Sequence, residues 1–212
     1  MTIDERRTLS YSIAPVELRA DENGRSVAIG YAAKFGERSL NLGGFVEEIA
    51  PTAFTKTVGE SDVVALRDHD GSRLLGRMSA GTLRLTVDSI GLRYEIDLPD
   101  TSEGRDTALL LARGDLAGSS FGFRTVSDGW DKTDDGYPLR ILKEVALRDI
   151  GPTTFPAYTS TEASLRCFAE QRNMSIGDAV AAAAADQLRD LISLPDIAPA
   201  ASAPVWHRPQ RY

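Results

Sequence analysis

The chain has 212 residues, with 24 Lys+Arg against 31 Asp+Glu, a formal charge of −7, one Cys and two His. Such a length suits one domain with a modest tail, and 42% hydrophobic with 26% charged residues is the balance of a globular chain that buries a core. A single Cys excludes an intramolecular disulfide and a Cys-based zinc site, and an acidic chain of pI ≈ 4.9 without a basic block is a poor nucleic-acid binder. The longest alanine-rich run, Ala179 to Ala185, has seven residues. A membrane span needs ~18. The polar start Met1-Thr-Ile-Asp-Glu5 has no secretory-signal character, so a compact cytosolic protein is expected.

In chain order, short alternating segments fall at 8–18, 26–35, 45–49, 63–67, 83–87, 92–98, 120–126 and 140–150. Leu83-Arg-Leu-Thr-Val87 and Leu92-Arg-Tyr-Glu-Ile96 alternate with period two, and Asp88-Ser-Ile-Gly91 between them supplies turn chemistry, which predicts a hairpin. Asp134-Asp-Gly136 joins the 120–126 and 140–150 strands in the same way. A helix is predicted over 50–58, with Pro51 in its first turn and Gly59 at its C-terminal cap. Another follows Asp100-Thr-Ser-Glu103 and runs through Ala108-Leu-Leu-Leu-Ala-Arg113 to Gly114. Eight strands with turn-rich joints predict a mainly β fold with inserted helices, an antiparallel barrel or sandwich.

The composition shifts after Arg166. Ser175-Ile-Gly-Asp178 is a cap-like start, and Val180, Ala184, Leu188, Leu191 and Ile192 form a helical stripe that stops at Pro195. The Pro/Ala-rich end, with Trp206 as its one candidate anchor, has the composition of a disordered tail. The expected division is therefore 1–166 as the folded domain and 167–212 as a C-terminal helix and tail.

Three segments carry chemistry. With His207 in the tail, domain histidine chemistry falls on His69, which follows the apolar strand Val63-Val-Ala-Leu and is flanked by Asp68 and Asp70. It fits a general base oriented by a carboxylate, or a surface turn histidine. A metal site on Asp68-His69-Asp70 is disfavoured, because neighbours on an extended chain point to opposite sides. In Gly118-Ser-Ser-Phe-Gly-Phe123, Phe121 and Phe123 share the core face with Ser119. Ser120 then faces away beside Gly122, where missing side-chain bulk admits a second backbone. That suits a nucleophile receiving an extended peptide, and equally the Gly/Ser-rich start of a strand. Along Arg140 to Ile150, Asp149 shares parity with Ile141, Val145 and Leu147 while Glu144 lies on the other face. A carboxylate among apolar residues requires a partner, unless the strand end has already reached solvent.

Together, Asp68-His69-Asp70, Gly114-Asp-Leu-Ala-Gly-Ser-Ser-Phe-Gly-Phe123 and the Lys143 to Tyr158 segment closing in Phe155-Pro-Ala-Tyr158 resemble the prohead maturation proteases of tailed phages. Leu75-Gly-Arg77, and Gly91-Leu92 before a strand ending in Leu98-Pro99, fit the same pattern, and the resemblance covers about residues 10–165. It implies a serine endopeptidase on an antiparallel β-barrel of the herpesvirus assembly-protease type. Carried over by motif, Ser120 is the nucleophile, His69 the general base and Asp149 the third member. Ser119 stands where the family commonly has an apolar residue, and Asp149 where it usually has Glu. Glu144 competes for the third role, and the motif selects Asp149. Strict alternation puts Asp149 on the core side and Ser120 off it, so a bulge or a corner between sheets is needed to reconcile them. Oxyanion donors are sought among the N–H groups near Gly118–Ser120 or after Asp149.

No metal or cofactor is implied. The implied partners are the major capsid protein with its scaffolding segment, the chain itself as substrate, and further copies in a homo-oligomer, without nucleic acid or membrane. The implied location is the assembling prohead in the host cytoplasm. A catalytically silent barrel acting as an assembly or scaffold-binding module is the competing function.

Overall fold

The computed structural model describes residues 4–9, 15–154 and 161–192. Ten strands run in the order β1 (Glu5–Leu9), β2 (Glu17–Ala20), β3 (Ser26–Lys34), β4 (Val46–Ile49), β5 (Val64–Leu66), β6 (Leu74–Arg77), β7 (Leu83–Val87), β8 (Gly91–Asp97), β9 (Gly118–Lys132) and β10 (Pro138–Thr153). Helix α1 (Thr55–Glu60) precedes β5, α2 (Ser102–Arg113) precedes β9, and α3 (Thr161–Gln171), α4 (Ile176–Ala184) and α5 (Leu188–Ile192) follow β10. One six-stranded sheet has the order β1-β9-β10-β5-β6, with β4 also on β10; a four-stranded sheet has the order β2-β3-β8-β7.

The fold is thus mainly β with inserted helices. It is not wholly antiparallel, because β4 and β5 both lie parallel to β10. Among the described residues the sheets remain two separate ladders, and hydrogen bonding closes no barrel. The segment expected as one strand over 8–18 is divided, β1 pairing with β9 and β2 with β3. Strand β6 escaped sequence reading because Leu74-Leu-Gly-Arg77 is too short for a period.

Local chemistry accounts for the turns. Asp88 Oδ1 accepts from Ile90 N at 2.7 Å and Gly91 N at 2.9 Å, closing the β7–β8 hairpin. Helix α2 is capped by Thr101, whose hydroxyl accepts from Gly104 N, and ends on Gly114 in the left-handed region (φ 78°). Helix α1 starts later than predicted. Residues 51–54 form a turn, Gly59 lies inside the helix and Ser61 takes the C-cap.

The main core lies between the sheets, where Tyr94, Ile96, Phe54, Phe121, Phe123, Leu142 and Ile150 are buried together. A second cluster joins Phe45 and Trp130 to Leu165 and Phe168 of α3, Ala179 and Ala182 of α4, and Leu188 of α5. Helix α3 spans position 166. The helical stripe predicted beyond it is broken at Ala185 and Asp186, and Val180 is 43% exposed while its neighbour Ala179 is buried. Small alanines let α4 approach Gly44, where an added Cβ would stand 3.0 Å from Ala183 O. The tail with Trp206 and His207, and the segment Phe155-Pro-Ala-Tyr158, lie outside the described residues.

A charged cluster is buried beside these cores. Arg140 is fully buried, with Nη1 2.8 Å from Glu5 Oε2 and 3.0 Å from Glu47 Oε2, and Nε 2.6 Å from Asp128 Oδ2. Arg7 reaches Glu47 Oε1 at 2.6 Å and Glu5 Oε2 at 2.9 Å. Ser164 Oγ accepts from Arg140 Nη1 at 2.8 Å and donates to Glu5 Oε2 at 2.8 Å. The cluster therefore ties β1, β4, β9, β10 and α3 at one point. Removing one member of such a set leaves buried charge unpaired, at a cost of about 3–5 kcal/mol. Arg140→Leu is expected to lose about that much stability in urea denaturation.

Burial pushes the Glu5 carboxyl up, but the Arg140 guanidinium, then Arg7 and the Thr125 hydroxyl, outweigh it and hold the group at about 2, below its ordinary 4.5. A depressed carboxyl contributes stability above its unfolded value and loses it as pH falls through the folded one. Stability should decline from about pH 4.5 down to about pH 2, and Glu5→Gln should flatten that limb in acid-titrated unfolding.

Candidate active site

The β9–β10 pairing sets the position of the first two side chains. Leu147 stands opposite Phe123, but the next pair is Asp149 with Gly122, so Arg148 is an extra residue in the ladder. This is a β-bulge, and it turns Asp149 from the core parity of Leu147 to the face shared by Ser120 and Gly122. Gly122 makes the room: a Cβ there would run into Asp149 Oδ2. The parity conflict in the sequence is resolved by one inserted residue.

The third side chain arrives from β5, which lies parallel to β10 with Asp149 opposite Val64 and Ile150 opposite Ala65. Gly151 permits this close approach, since a Cβ on it would run into Leu66 O. After β5 the chain turns sharply, with Asp68 (φ 55°) and His69 (φ 58°) both in the left-handed region. The turn is closed by Asp70 N donating to Arg67 O at 3.1 Å and Arg73 N donating to Asp70 O at 2.8 Å. Asp70 Oδ1 also accepts from Ser72 N at 2.9 Å.

The turn directs the His69 ring between the other two groups. Nδ1 is hydrogen-bonded to Asp149 Oδ1, and Nε2 is 2.6 Å from Ser120 Oγ. An ionised carboxylate only accepts, so Nδ1 carries the proton and the Nε2 lone pair faces the serine. The His69 side chain is 5% exposed and Ser120 1%, which keeps the array in a low-dielectric setting. Ser120 Oγ also lies 2.7 Å from Arg7 O on β1, so its one hydroxyl hydrogen has two acceptors in reach.

The other sequence candidates lie elsewhere. Ser119 faces the core, its Oγ 2.8 Å from the Tyr94 hydroxyl. Glu144 stands at a separate register shift, with Lys56 Nζ at 3.4 Å. Asp68 accepts from Thr154 N at 2.8 Å, and Asp70 serves its own turn. Among the described residues no group of three or more His, Cys, Asp and Glu side chains is arranged to hold a metal ion. Of the N–H groups sought as oxyanion donors, Thr154 N is engaged by Asp68 and Pro152 has none. The Arg7 carbonyl is the contact that sequence reading missed; it comes from 113 residues away in the chain, and backbone atoms leave no residue-type signal.

A family profile described as caudovirus prohead serine protease matches residues 14–175. No curated protein matches significantly. Among solved structures, the bacteriophage T4 capsid assembly protease gp21 is similar over 72% of this chain and 99% of its own, at 11% identity and a TM-score of 0.43. With the profile running through most of the chain, from before β2 to beyond α3, the protein belongs to the caudovirus prohead serine protease family.

Proposed function

We propose that this chain is a serine endopeptidase in which Ser120 is the nucleophile, His69 the general base and Asp149 the group that orients and stabilises the imidazolium. The observation that carries this is the His69 ring, hydrogen-bonded through Nδ1 to Asp149 and 2.6 Å from Ser120 Oγ through Nε2. As Oγ attacks the scissile carbonyl, Nε2 takes the hydroxyl proton, and Asp149 stabilises the charged ring. His69 then returns the proton to the leaving amine, and water, deprotonated by the same nitrogen, hydrolyses the acyl-enzyme. Proton transfer of this kind contributes about 10²–10⁴-fold, and oriented N–H donors must supply much of the remainder.

The substrates proposed are the scaffold or the scaffolding segment of the major capsid protein, and the chain itself, inside the assembling prohead in the host cytoplasm. The family assignment supports this setting. A homo-oligomer and a protease unit of 1–166 with a removable 167–212 segment belong to the same proposal. A cut that spares the second core cluster has to fall beyond Leu188. One observation favours the silent-module reading: Ser120 is 1% exposed and its hydroxyl also meets Arg7 O.

Co-expression with the neighbouring major capsid protein, read by intact mass, separates the two. Shortened capsid protein or protease is expected with the unmodified chain and with neither Ser120→Ala nor His69→Ala; equal products from Ser120→Ala would reject Ser120 as the nucleophile. Gly122→Ala gives a finer test, because its Cβ displaces Asp149 from His69. It is expected to lower kcat by about 10²-fold with little change in KM.

A further inference from the structure

Asp68 is one residue from His69 yet makes its contacts on another strand. Its N–H donates to Pro152 O at 3.1 Å, and Oδ1 accepts from Thr154 N at 2.8 Å and from Thr153 Oγ1 at 3.2 Å. Oδ2 accepts from Thr154 Oγ1 at 3.4 Å and lies 3.8 Å from Arg73 Nη1. Every one of these partners except Arg73 lies just past Asp149 on the same chain segment. The turn so held contains two successive non-glycine residues with positive φ, a strained conformation that persists only where its surroundings over-determine it.

From this clamp we infer that Asp68 is a positioning residue: by fastening the β5–β6 turn to the end of β10, it fixes the His69 ring against Asp149 and Ser120. It does not touch the ring or the nucleophile. Its carboxylate reaches Thr153 and Thr154, whereas the Asp70 and backbone bonds of residues 67–73 stay within the turn. The inference rests on the proposed roles of His69 and Ser120 only for its effect on rate. The clamp itself is a statement about where the ring sits.

The test uses the full chain with Asp68→Ala and Asp68→Asn, since the Asn oxygen can still accept from Thr154 N. Two readouts are needed: the low-field proton NMR resonance of His69 Nδ1–H, identified by its absence in His69→Ala, and the labelling rate of Ser120 by a fluorophosphonate. Asp68→Ala is expected to lose or shift the resonance and to label about 10²-fold more slowly. Asp68→Asn should keep the resonance and label within about tenfold of the parent. An Asp68→Ala protein with the parent's resonance and rate overturns the inference. If Asp68→Ala fails to fold by circular dichroism, Asp68→Asn decides: a folded Asn variant without the resonance overturns it as well. Should the parent itself not label, the nucleophile assignment fails, and the resonance alone judges Asp68.

Discussion

The extra residue at Arg148 governs the geometry of the site. In an unbroken ladder a carboxylate two residues after Leu147 points into the core with it, where it costs free energy and meets no imidazole. Inserting one residue turns Asp149 out of the core without disturbing the hydrophobic register on either side: Leu147 still opposes Phe123, and Ile150 opposes Phe121. Two glycines complete the arrangement by yielding space, Gly122 to the Asp149 carboxylate and Gly151 to the β5 backbone. The His69 turn can then reach both strands because β5, β9 and β10 are paired side by side at this point.

What stabilises this region is unevenly distributed. The far face of β9 is supported by apolar packing, with Phe54 edge-on to Phe121 at 5.6 Å and Phe121 stacked on Phe123 at 5.0 Å. The β1 side depends on ionic pairing, since Arg7 supplies both the backbone carbonyl facing Ser120 and a guanidinium bound to Glu5 and Glu47. Apolar packing tolerates volume-conserving change, whereas a buried charge without its partner does not. The surroundings of Ser120 are accordingly robust below and sensitive at the edge.

Much of this was legible in the residues. Alternation and turn chemistry located β7, β8 and the core face of β9, and the ends of α2 were legible to within one residue, the N-cap being Thr101 rather than Asp100 and the C-cap Gly114. His69, Ser120 and Asp149 could each be named, but each had a plain structural reading beside the chemical one, and only their order along the chain joined them. Periodicity exposed the conflict between Asp149 and Ser120 that a bulge or a corner between sheets would reconcile, but not which of the two or that Arg148 is the inserted residue, because one insertion leaves the composition of a strand unchanged. Nor could it reveal the parallel placement of β4 and β5 on β10, which depends on pairing distant in sequence. Arg140 reads locally as the solvated start of a strand; its burial follows from Glu5, Glu47 and Asp128 meeting it from three other strands. In the predicted stripe, Val180 and Ala184 missed because α4 docks by Ala179 and Ala182, whereas Leu188, Leu191 and Ile192 join the second core as expected.

The buried charge cluster also has a meaning in time. Its members run from Glu5 and Arg7 on β1 to Ser164 on α3, and the Ser164 hydroxyl meets Glu5, Arg7 and Arg140 at once. Contacts so far apart in sequence form late and slow folding down. During synthesis, a chain that has emerged only through β10 has His69, Ser120 and Asp149 but lacks the hydroxyl that bridges both guanidiniums and Glu5. The strand whose carbonyl faces Ser120 can pair with β9 before α3 exists, but its Arg7 side chain gains the Ser164 hydroxyl only after the ribosome has delivered α3, so the order of translation separates laying down the pairing from completing the charged cluster.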